Sequence, residues 1–181
     1  MGLFDTKTSG KKTSLFTDYE HAKTTQRGEW FPAKFEGRLR LVRFEAGDTQ
    51  FKKPGQKFVV ATFTVLNTNQ PEEVPVGCER TYFVGSAMMF EANLKALLVA
   101  LHNSAQLTAG ETLTIPTQED AEFMVVGRVG ADGAPLPDTH PEFDAVIPGY
   151  ANAGYEVLLE TRMNAKGTYT NHYFKPCAFG V

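Results

Sequence analysis

The run Gln56-Lys-Phe-Val-Val-Ala-Thr-Phe-Thr-Val-Leu-Asn67 does most to limit what this chain can fold into. It is rich in β-branched and aromatic residues and contains neither Gly nor Pro. Such residues pack well on a pleated surface and lose rotamer freedom in a helix. A strand this long needs paired neighbours, because an isolated two-stranded ribbon is marginal in water. The flanking sequence supplies them. Lys34 to Ala46 reads as a strand with Leu39 and Leu41 on one face and Arg38 and Arg40 on the other. The apolar parity changes at Val42-Arg43-Phe44, which predicts a bulge there. Arg80-Thr-Tyr-Phe-Val84 reads as a third strand, ended by Gly85.

A helix is expected over 87–103, with Ser86 as N-cap and an apolar stripe of Phe90, Leu94, Leu97, Leu98 and Leu101. Thr112 to Ile115 reads as a short strand. Gln118 to Val129 reads as a helix capped by Thr117, because Glu119, Asp120 and Glu122 suit a helix N-terminus. A strand centred on Phe123–Val126 is the alternative. Residues 130–150 hold four prolines and read as a long acidic loop. The chain then closes with a hairpin. Tyr155 to Met163 alternates, with Tyr155, Val157, Leu159 and Met163 on one face and Glu156, Glu160 and Arg162 on the other. Asn164-Ala-Lys-Gly167 forms the turn, with Gly167 left-handed, and Thr168 to Lys175 returns.

The fold class is therefore mainly β. Three strands, a helix, an irregular insertion and a final hairpin follow the order of the OB fold, a five-stranded Greek-key barrel with one helix after strand three. The expected bulge fits a first strand that bends to serve both sides of such a barrel. A β-sandwich with one helix and an open α+β sheet remain as alternatives. Residues 1–28, rich in Thr, Ser, Lys and Gly, read as a flexible N-terminal arm. Residues 29–181 read as one OB-like domain carrying an acidic insertion at 105–153.

Composition narrows the function classes. The formal charge of −3 argues against a nucleic-acid partner when taken as a total. Along the chain it divides into +4 over residues 1–53 and −7 over residues 54–181. Two cysteines, Cys78 and Cys177, are too few for a disulfide framework, so a reducing cytoplasm is the expected setting. No apolar run approaches a membrane span, so no membrane partner is expected. There is no phosphate-binding loop, no nucleophile elbow and no zinc-protease motif, and no nucleophile–base pair suggests itself. The histidines and cysteines lack zinc-site spacing. The expectation is a non-catalytic protein without metal or cofactor.

Basic and aromatic residues are interleaved on the expected strands. Single-stranded nucleic acid needs a cationic path for its phosphates and aromatic faces for its unpaired bases. In an OB fold these stand on strands two and three and on the loops between strands one and two and strands four and five. The candidate contacts are Arg38, Arg40, Arg43, Phe44, Phe51, Lys52, Lys53, Lys57, Arg80, Tyr82, Lys166, Tyr169 and Tyr173. Phe58, Phe63, Phe83 and Tyr155 read as core, and Trp30 as a cap over the barrel, with base stacking as its alternative.

Gly55-Gln-Lys-Phe-Val-Val-Ala-Thr-Phe-Thr-Val-Leu66, Val74-Pro-Val-Gly77 and Asn93-Leu-Lys-Ala-Leu-Leu98 resemble small phage-encoded single-stranded DNA-binding proteins. So do Gly154-Tyr-Glu-Val-Leu-Leu-Glu160 and Lys166-Gly-Thr-Tyr-Thr-Asn-His-Tyr-Phe-Lys-Pro176. The similarity is one of pattern and order, over roughly residues 30–103 and 154–176. It implies an OB fold, cooperative cover of single strands in phage replication or recombination within the host cytoplasm, and no catalysis. Many such proteins end in an acidic, partner-recruiting tail. This sequence closes with Pro176-Cys-Ala-Phe-Gly-Val181. The acidic insertion is the candidate substitute for contacts with replication or recombination proteins. Homo-oligomerisation is a further expectation. The competing class is a phage structural or host-interaction protein that uses the arm and the acidic loop.

Overall fold

A computed structural model describes residues 30–48, 57–85, 90–136 and 150–180. Its centre is a five-stranded antiparallel sheet of order β3-β2-β1-β6-β7, built from β1 (Glu36–Asp48), β2 (Lys57–Thr68), β3 (Glu79–Val84), β6 (Glu156–Met163) and β7 (Thr170–Pro176). The run that limits the fold is β2, held between β1 and β3. The bulge falls where the parity change put it. Leu41 faces Phe63 and Arg43 faces Thr62, so Val42 is the extra residue. This slip returns Phe44 to the same buried side as Leu39 and Leu41. A second slip lies between Arg38 and Leu39, where β2 contributes the extra residue, Leu66.

Two helices, α1 (Phe90–Ala109) and α2 (Gln118–Val126), accompany the sheet. α1 lies against β7 and β6 and presents Leu97, Leu98 and Leu101 to a core that includes Phe35, Leu39, Leu41, Phe63, Val157 and Leu159. It runs past the expected end at 103 because its last turns hold the end of the chain. The Ser104 hydroxyl accepts from the Cys177 amide at 3.0 Å, and the Thr108 hydroxyl accepts from the Phe179 amide at 3.0 Å. Gly110 (φ +71°) ends the helix, with the Gly110 amide donating to Leu107 and the Glu111 amide to Gln106. That is the paired bonding of a Schellman cap. Ser86 lies outside the described residues.

α2 bears out the helical reading of 118 onward. Thr117 and Asp120 form a reciprocal capping box. The helix stops at Gly127, short of 129, and Arg128–Val129 (β4) pairs instead with Pro135–Leu136 (β5). The expected strand at 112–115 does not form. Thr114 is tied to α1 instead, its amide donating to Gln106 Oε1 at 2.9 Å and its hydroxyl accepting from Gln106 Nε2 at 2.7 Å. The final turn has Gly167 at φ +66°, with Asn164 Oδ1 accepting from the Thr168 amide at 2.7 Å. Val157 and Leu159 of the shared face are buried, and Met163 is exposed at the strand end.

The expected closed barrel is corrected. Among the described residues no ladder joins β3 to β7, which are the two edges of the sheet. Their rings meet instead. Tyr82 of β3 lies 4.8 Å from the His172 ring and 5.0 Å from the Phe174 ring, both on β7. The contact between the two edge strands is made by aromatic side chains. No described helix is long and apolar enough to cross a membrane. The arm at 1–28, residues 49–56 and the middle of the insertion, 137–149, lie outside the described residues.

Candidate functional site

A cleft of about 870 Å³ opens along the seam between β3 and β7. β3 brings Thr81, Tyr82 and Phe83 to it, and β7 with its preceding turn brings Tyr169, Asn171, His172 and Tyr173. Trp30 and Phe31, where the described chain begins, complete one side, and Asn93 of α1 lines it as well. An edge strand can turn both of its faces toward such an opening. His172 and Phe174 point toward the core side, where His172 also meets Phe31 at 6.3 Å. Tyr173, on the alternate face, stays in solvent.

Three large rings are strongly exposed here: Tyr169 at 62%, Trp30 at 52% and Tyr173 at 45%. Rings of this size usually contribute buried area, so three exposed together at one cleft mark a surface built for contact. The described residues that line the cleft are also uncharged near neutral pH. Burial lowers the His172 imidazole to about 4, against the partial opposition of a Thr170 backbone bond, and pushes the Tyr82 phenol up to about 12. At the rim, Arg162 lies over the Tyr173 ring at 5.3 Å. Glu160 accepts from Arg162 at 2.6 Å and from Lys175 at 3.2 Å. The bonds from those two cations hold the Glu160 carboxyl below its ordinary range, and the same bond raises Arg162.

The residues expected from the sequence divide into separate groups. Tyr82, Tyr169 and Tyr173 converge on the cleft. Lys166 stands exposed in the turn of the β6–β7 hairpin. Arg38 and Arg40 turn to the buried carboxylate of Glu156, at 2.5 and 2.9 Å, and Arg38 also donates to the Ala178 carbonyl at 2.6 Å. Their charge fastens β1 to β6 and to the end of the chain. Arg43 pairs with Glu45 at 3.5 Å, and Arg80 donates to the carbonyls of Glu73 and Glu79. Phe44 is corrected outright. It is 1% exposed in the core, so neither ring face can receive a base. Lys57 opens β2 opposite Asp48. Phe51, Lys52 and Lys53 lie outside the described residues.

Sequence reasoning missed the other half of the cleft. Phe83 was expected in the core and lines the opening instead, and Trp30, read as a barrel cap with base stacking as the alternative, lines it as well. The Tyr169-Thr-Asn-His-Tyr173 segment carried the clearest signal, since a strand with aromatic residues on both faces does not suit a one-sided core. Asn93 had no signal, because only the packing of α1 brings it to the seam. Among the described residues no group of three or more His, Cys, Asp or Glu converges as a metal site, and both cysteines are free thiols. No family model and no curated protein matches this chain.

Proposed function

We propose that this chain is a non-catalytic, sequence-tolerant single-stranded DNA-binding protein acting in phage DNA replication or recombination. The observation that carries the reading is the convergence of exposed Trp30, Tyr169 and Tyr173 on one cleft with Tyr82 and Phe83. Stacking on aromatic faces is worth roughly 1–3 kcal/mol per base and tolerates any sequence. Two or three such stacks give useful affinity before any phosphate contact is counted. The sheet is read as an OB-like barrel whose last seam is made of rings. The strand order leaves β3 and β7 as the two edges, and the ring contacts between those edges support this reading. Lys166 at the hairpin tip, with Lys52 and Lys53, supplies the cationic approach for the strand. The acidic insertion is the surface for replication or recombination partners, in the host cytoplasm.

Retention of labelled oligo-dT on a filter at low salt is the direct test. Retention of oligo-dT with little preference among homopolymers is expected, and absence of uptake rejects the function. A second reading has its own support. Leu113, Ile115, Phe123 and Val126 are exposed on and beside α2, which favours a protein-contact surface of a structural or host-interaction protein. A defined oligomer or complex without DNA affinity is the outcome that selects it.

A further inference from the structure

Two side-chain amides in the cleft have no bonding partner among the described residues. Asn93 lines it from α1 and Asn171 from β7, and both are half-buried. An amide offers two donors and an acceptor with two lone pairs, the complement that the edge of an unpaired base presents. None of the described residues that line the cleft is a lysine or an arginine. A phosphodiester is recognised by positive charge and by converging donors, and the described lining residues offer no such charge. Ring faces with neutral amides beside them suit a nucleobase instead.

We propose that Asn93 and Asn171 read the edges of unpaired nucleobases stacked in the cleft, which takes the bases and leaves the phosphates outside. This rests on the strand-binding reading and specifies its ligand. An amide side chain can present either its donors or its acceptor, so the contact serves several bases and keeps recognition sequence-tolerant. The salt-dependent part of binding then comes from residues outside the cleft, because the cleft itself displaces no condensed counterions.

The test uses the full chain and fluorescence anisotropy with two labelled probes of equal length, an oligo-dT and an abasic oligonucleotide. Both are titrated at about 0.05 M and about 0.5 M NaCl, where screening differs strongly. With two bases stacked, the abasic probe binds about thirty-fold or more weakly than oligo-dT. Asn93→Ala and Asn171→Ala each weaken oligo-dT binding by about two- to ten-fold, the loss of one neutral hydrogen bond. That factor is the same at both salt concentrations, and abasic binding is unchanged by either variant. Asn93→Ala stands in a helix and Asn171→Ser keeps a polar strand residue, so the test survives misfolding of Asn171→Ala. An abasic probe bound as tightly as oligo-dT overturns the base assignment and leaves strand binding in place. So do variant losses that vanish at high salt. Failure of the wild type to bind either probe overturns both.

Discussion

His172 makes the stability of the cleft sensitive to acid. Its ring is packed against Tyr82, Phe31 and Phe174, and burial holds its pKa at about 4, where the free side chain has 6.5. The neutral ring is therefore the form that the fold accepts. Between these two values the unfolded chain binds a proton that the folded chain does not. Stability from this group is complete above about pH 6.5 and is lost as the pH falls toward 4. At 1.36 kcal/mol per pH unit the full separation amounts to roughly 3 kcal/mol. Of this, about 2.5 kcal/mol appears between pH ~7.5 and pH ~4.5. Urea unfolding of the wild type and of His172→Phe at both pH values isolates it, because carboxylates that titrate in the same range affect both proteins alike. Phe suits an aromatic neighbourhood, so the variant is expected to be nearly as stable as the wild type at the higher pH. It should then lose about 2.5 kcal/mol less on acidification. Parallel pH dependence of the two proteins refutes the assignment of a buried neutral imidazole at the β3–β7 seam.

Other expectations follow from the same structure. Tyr169→Ala and Tyr173→Ala should each weaken oligo-dT binding by about 1–3 kcal/mol. Their thermal midpoints should hardly move, because both rings are exposed; anisotropy and circular dichroism read the two effects separately. Leu97→Asp should abolish cooperative unfolding, since it places an unpaired charge in the fully buried stripe of α1. Glu156→Gln should cost about 1–2 kcal/mol in urea unfolding, modest because Arg38 and Arg40 keep access to solvent. The same substitution should make the segment at Ala178 more open to proteolysis, because Arg38 is then less firmly placed to hold that carbonyl.

The strands were legible because local and tertiary preferences agree in them. The β-branched run became β2, and the parity change at Val42 marked the bulge. Thr117 followed by Glu119, Asp120 and Glu122 announced a helix start, and in the structure Thr117 and Asp120 bond reciprocally there. The missed features depend on contacts distant in sequence. α1 extends to Ala109 because Ser104 and Thr108 receive amides from Cys177 and Phe179, some seventy residues away. Thr112–Ile115 has the composition of a strand and finds Gln106 before any sheet edge.

The site was half legible for a related reason. Basic and aromatic residues interleaved on the last hairpin singled out Tyr169 and Tyr173, and period-two alternation says which residues share a face. It does not say which arginine meets a buried carboxylate. Arg38 and Arg40 read as a cationic face, but Glu156, across the β1–β6 pairing, takes up both. The charge asymmetry along the chain therefore overstated the role of β1. The exposed rings gather instead where the two sheet edges approach one another.

Trp30 gives the most direct test of the central claim. It is the only tryptophan in the chain and it lines the cleft, so its emission reports on that surface alone. Titration with unlabelled oligo-dT at low salt should quench it in a saturable manner, and Tyr173→Ala should shift the curve to higher oligonucleotide concentration by about five-fold or more. Emission unchanged at oligonucleotide concentrations that saturate filter binding would place the strand elsewhere on the molecule and contradict the account.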